Sequence, residues 1–147
     1  MTSWRALTAF LLIAIPASAE DLPKELLLQC EGKSNAVMDV PRSESRSGTF
    51  RVNLLLKDGS VSDTTTNVVE GTGCVQDKGE IKCEVTKQYP FPNSVLKRFS
   101  SVVINRNTRD VTLWVESWEY QGADTSGAPA AHARVLRTGT CRDNTLF

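Results

Sequence analysis

The stretch Phe50-Arg51-Val52-Asn53-Leu54-Leu55-Leu56-Lys57-Asp58-Gly59 decides the fold class. Side chains alternate along an extended chain, so Phe50, Val52, Leu54 and Leu56 share one face while Arg51, Asn53 and Lys57 share the other. Only Leu55 breaks the polarity. Asp58-Gly59 then suits a two-residue hairpin turn, because both residues tolerate the positive φ that such turns require. The same two-residue period recurs downstream. Ile81, Cys83 and Val85 oppose Lys82, Glu84 and Thr86 within residues 80–87.

Working outward, residues 26–32 form a first strand and residues 43–48 a polar loop. Residues 61–70 are a Thr-rich return strand, weakest in its first half, and Gly71 and Gly73 punctuate the turn after it. Two prolines in Tyr89-Pro90-Phe91-Pro92-Asn93 remove backbone donors and argue against regular structure there. Residues 95–99 suit one helical turn. Residues 101–105 and 110–118 are strands around the polar turn Arg106-Asn107-Thr108-Arg109. After the small-residue loop 122–129, residues 131–138 give the last long strand. No sustained 3.6-residue apolar period interrupts the pattern. The expectation is an all-β domain of seven or eight antiparallel strands, an up-and-down barrel or a flattened sandwich.

The chain has 147 residues, 17 basic and 17 acidic. Zero net charge and no basic cluster argue against a nucleic-acid binder held by phosphate contacts. Residues 1–19 read as a cleaved secretory signal: Arg5, an apolar run around Phe10-Leu11-Leu12-Ile13, Pro16, then Ala17-Ser18-Ala19 as a small-residue cleavage site. The run is too short to span a bilayer, so no membrane insertion is expected after cleavage. Residues 20–147 are then one domain, with an expected periplasmic or extracellular location.

All four cysteines follow the leader, and an even count in an oxidising compartment points to two disulfides, with three connectivities open. Cys74 and Cys83 flank the turn sequence Asp77-Lys78-Gly79 and so sit on neighbouring arms of a hairpin. Pairing them leaves Cys30 for Cys141, tying the two ends together. With no Cys-x-x-Cys and a single histidine, His132, neither a metal site nor a thiol catalyst is expected, and no cofactor is implied.

The leading candidate binding surface is residues 110–120. Val111, Leu113 and Val115 fall on one face; Thr112, Trp114, Glu116, Trp118 and Tyr120 fall on the other. With the valine–leucine face in the core, the second face is an amphipathic patch suited to a protein or glycan partner. The competing reading fills the interior with the tryptophans and pairs Glu116 with a neighbouring Arg. Tyr89 and Phe91 are a second candidate, either on a projecting recognition loop or as a plug over one barrel end. A filled interior is expected for a chain this short. No catalytic residues are assigned: His132 sits among alanines without a local partner, and nothing singles out Glu84 and Glu116 as an acid pair.

Cys30-Glu31-Gly32 in the first strand, the turn Ile104-Asn105-Arg106-Asn107-Thr108 and Gly139-Thr140-Cys141 near the end resemble small exported β-barrel proteins of Gram-negative bacteria. In plan the chain is similar to periplasmic inhibitors of chicken-type lysozyme, which also join an early to a late Cys across an antiparallel barrel. Their Ser- and Lys-containing inhibitory loop motifs are absent, so the resemblance carries over no site residues. The expected function is an exported, non-enzymatic binding protein. Alternatives are an inhibitor of a lysozyme-type enzyme and a small hydrolase using acidic residues.

Overall fold

A computed structural model describes residues 21–66 and 68–144; the expected signal segment lies outside them. Eight strands run in chain order: β1 (Glu25–Val40), β2 (Glu44–Lys57), β3 (Ser60–Asp63), β4 (Glu70–Asp77), β5 (Glu80–Phe91), β6 (Ser94–Asn105), β7 (Asp110–Gln121) and β8 (Ala131–Asp143). Each pairs antiparallel with the next, and β8 returns to β1, so the sheet closes into a barrel. Closure leaves no sheet edge along most of its circumference.

The turns form as their sequences dictate. Asp58-Gly59 has φ of 50° and 70°, and Lys78-Gly79 has φ of 49° and 80°, the left-handed pairs of two-residue hairpins. In the 106–109 turn, Asn105 Oδ1 accepts from the backbone N–H groups of Asn107 and Thr108, both at 3.0 Å.

Several sequence expectations are corrected. The polar segment 43–48 is strand from Glu44 onward, because it pairs with the second half of β1, as in Met38↔Glu44. In 61–70 only residues 61–63 belong to β3 and Glu70 already opens β4; residues 64–66 are turn, where Asp63 accepts from Thr65 N (2.7 Å) and Thr66 N (3.1 Å) and ends β3. Gly71 and Gly73 lie inside β4; Gly73, at φ 57°, serves a bulge between Thr72 and Val75. Residues 95–99 are strand, in continuous register with both β5 and β7. Pro90 sits within β5 opposite Val95. The ladder to β4 has already ended at Thr72↔Glu84, so the side of Pro90 without an N–H faces no strand among the described residues.

At one end the barrel is packed solid. Leu28, Leu54, Ile81, Val102, Ile104 and Leu113 point inward and are buried, each contributing on the order of 1.5–3 kcal/mol of transfer free energy. Both disulfides stand in this end: Cys30–Cys141 across the β1–β8 seam and Cys74–Cys83 across the β4 bulge. At the seam Gly32 faces Gly139, where a Cβ on Gly139 would lie 2.0 Å from Glu31 O. The other end is different. β3 and β4 are short, while β1–β2 pairing continues to Met38↔Glu44 and β5–β6 pairing to Phe91↔Ser94. There β2 and β5 have no strand between them among the described residues, and the wall opens.

Candidate functional site

Alternation along β7 puts Val111, Leu113 and Val115 in the core, so Trp114, Glu116, Trp118 and Tyr120 stand on the outer wall. Facing pairs build rows across three strands: Ser101–Trp114–Leu136, Phe99–Glu116–Arg134 and Lys97–Trp118–His132. Trp114, Glu116 and Trp118 are half-buried. Tyr120 is only 8% exposed and its facing partner Val95 9%, so the stripe ends in a packed edge.

Trp118 is held from both neighbouring strands. The His132 ring lies parallel to it, 5.5 Å between centroids at 5°, and Lys97 Nζ stands 5.8 Å from its ring centre. His132 is itself fixed. Its Nε2 is 2.8 Å from Glu116 Oε1 and its Nδ1 3.3 Å from Asp39 Oδ2. Glu116 Oε2 accepts from Trp114 Nε1 at 3.3 Å, and Asp39 also meets Arg134 at 3.4 Å. A chain of polar contacts therefore runs Trp114–Glu116–His132–Asp39–Arg134 beneath and beside the indole rings. A neutral imidazole can donate to only one of its two carboxylates; the imidazolium donates to both.

Two sequence readings change here. His132 is not an isolated surface residue: it bridges carboxylates from β1 and β7. Its partner Asp39 lies far away in sequence, and only the β1–β8 register, Val40↔His132, brings them together. Glu116 does face Arg134, yet its oxygens go to Trp114 and His132 while Arg134 turns to Asp39. Glu84 keeps separate company, with Lys82 at 3.0 Å and the Ser101 hydroxyl at 3.4 Å.

Tyr89 and Phe91 are not on a projecting loop. They occupy the last residues of β5 on its inward side, at the open end, with Pro92-Asn93 making the hairpin turn. Tyr89 is half-buried, donates to Glu70 Oε1 at 3.1 Å and lies under the Arg98 guanidinium. Phe91 is 55% exposed at the rim. These two aromatics and the β7 stripe thus lie on opposite sides of the barrel wall.

Comparison with known proteins finds no matching family model, no matching curated protein and no matching solved structure.

Proposed function

We propose that this is an exported, non-enzymatic binding protein that takes a protein or glycan partner on the outer wall of β6, β7 and β8. The observation that carries the reading is Trp118, fixed between Lys97 and a His132 that two carboxylates hold in place. The outer wall of a closed barrel has no core to complete. A half-buried, pre-positioned indole with charged neighbours of both signs is the kind of surface that anchors partners. Because the ring is already ordered, less side-chain entropy is lost on binding. The leader and the two disulfides favour an oxidising compartment, periplasmic or extracellular.

The test is a glycan array together with a titration against lysozyme, using the wild type, Trp118→Ala and Glu116→Gln. A partner bound by the wild type and lost by roughly tenfold or more in Trp118→Ala, at an unchanged melting temperature, supports the reading. Equal binding by Trp118→Ala, or its failure to fold, removes it. Inhibition of lysozyme that survives Trp118→Ala would assign the function to another surface.

A further inference from the structure

Two arginines face the interior of the barrel. Arg98 shares the inward side of β6 with Ser100, Val102 and Ile104, and Arg137 faces buried Leu113 across the β7–β8 ladder. Arg98 Nε and Arg137 Nε and Nη1 are buried with no hydrogen-bond partner. Neither residue forms an ion pair with an acid among the described residues; each instead lies against an aromatic ring, Arg98 over Tyr89 at 5.4 Å and Arg137 over Phe50 at 5.9 Å. Buried cations are ordinarily paired, because desolvation without a counter-charge is costly. The nearby acid, Glu70, is already engaged by Lys87 at 2.5 Å and by the Tyr89 hydroxyl.

The two lie at similar levels in the barrel. Rows of facing residues climb around a tilted barrel. That climb from β6 to β8 offsets most of the four-residue stagger along β7 between Ser117, opposite Arg98, and Leu113, opposite Arg137. Beyond them, toward the open end, half-buried Leu96, Ala36, Ala133 and Val135 take inward positions, interspersed with charged ones: Glu119 faces Leu96, Arg46 faces Ala36 and Glu44 faces Met38. At the rim stand Met38, 39% exposed, and Phe91, 55% exposed, also on inward positions.

We propose that the open half of the barrel binds an anionic amphiphile. Its carboxylate or phosphate head accepts from Arg98 and Arg137, and its apolar chain runs past Leu96 and Val135 to Met38 and Phe91. Guanidinium groups suit both head groups because they donate two parallel N–H bonds to an oxyanion. The site is separate from the outer-wall surface and takes a different ligand class.

Calorimetric titration of the disulfide-bonded protein with dodecanoate, dodecyl phosphate, dodecanol and acetate tests it. The expected result is saturable binding of at least one charged amphiphile, tighter than dodecanol and tighter than acetate. Arg98→Gln and Arg137→Gln should each weaken it about tenfold or more, while Trp118→Ala leaves it unchanged. The stronger of dodecanoate and dodecyl phosphate identifies the head group. Dodecanol bound as tightly as the anions, indifference to both arginine variants, or no saturable binding would overturn the proposal. A second measurement stands apart from ligand: Arg137→Met and Arg98→Met should melt no lower than the unliganded wild type, since each removes a half-buried charge that pairs with no acid among the described residues. A marked fall in melting temperature in both would make the arginines structural braces and also overturn it.

Discussion

Removing the two disulfides one at a time should have unequal effects, and the topology sets the ratio. Cys30–Cys141 closes a loop with a sequence separation of 111, Cys74–Cys83 one of 9. Loop-closure entropy of the unfolded chain gives about 4.8 kcal/mol for the first and about 2.7 kcal/mol for the second. The comparison is well controlled, because all four sulfurs belong to buried residues joining adjacent strands. Packing losses in Cys30→Ala/Cys141→Ala and in Cys74→Ala/Cys83→Ala should therefore largely cancel, leaving a difference of about 2 kcal/mol. Urea unfolding followed by circular dichroism reads it directly. With a slope of about 2 kcal/mol per molar, the midpoints should differ by about 1 M, the Cys30/Cys141 variant being the weaker. Its slope should also rise, as its unfolded chain expands more. Equal midpoints, or a weaker Cys74/Cys83 variant, would refute the loop-entropy reasoning and make local strain or packing the main contribution.

Gly139→Ala should prevent normal closure of the β1–β8 seam, because its Cβ would lie 2.0 Å from Glu31 O and the obstacle is backbone; loss of protection of the seam amides in hydrogen exchange is the readout. Asp63, 0% exposed, ties Thr65 N, Thr66 N and the Thr66 hydroxyl into the turn after β3. Asp63→Ala leaves those groups without their acceptor and should cost about 2–3 kcal/mol in denaturant unfolding. The hydrogen bond from Lys87 to Glu70 holds the Lys87 ammonium above the ordinary value of 10.5. Its contribution is thus complete below pH 10.5 and is lost as pH rises through the raised folded-state value; solvent exposure keeps it below about 1 kcal/mol. Lys87→Met should flatten stability against pH in that alkaline window and leave neutral behaviour nearly unchanged.

What was legible in the sequence was whatever alternation carries. The 50–57 face, the inward Val111-Leu113-Val115 and the outward Trp114-Glu116-Trp118-Tyr120 follow from a period of two, the Asp58-Gly59 turn from its residue types, and Cys74–Cys83 from hairpin position, which leaves Cys30 for Cys141. Closure into a barrel was not legible, since barrel and sandwich share the same local pattern and differ only in whether β8 meets β1. Segment 43–48 read as a loop because it is polar throughout, and 95–99 as a helical turn because Val95-Leu96-Lys97-Arg98-Phe99 shows no clean alternation, whereas long-range pairing made both strand. His132 read as a residue without a local partner because Asp39 and Glu116 reach it through register alone. The inward arginines did leave a trace: Arg98 falls in phase with Val102 and Ile104, and Arg137 with Val135 and Cys141. A charge in phase with an apolar face is a sequence signal for a polar interior.

Trp114 and Trp118 stand half-buried on the outer wall of β7, and the proposed binding surface depends on that placement. Acrylamide quenching of tryptophan emission, with Trp4 replaced by Phe so that only these two report, tests it most directly. The expected emission lies at intermediate wavelength and is quenched by acrylamide, with Trp118→Phe leaving a distinctly different quenching constant from Trp114→Phe. Blue-shifted emission that acrylamide leaves untouched would put both rings in the interior and overturn the outer-wall placement.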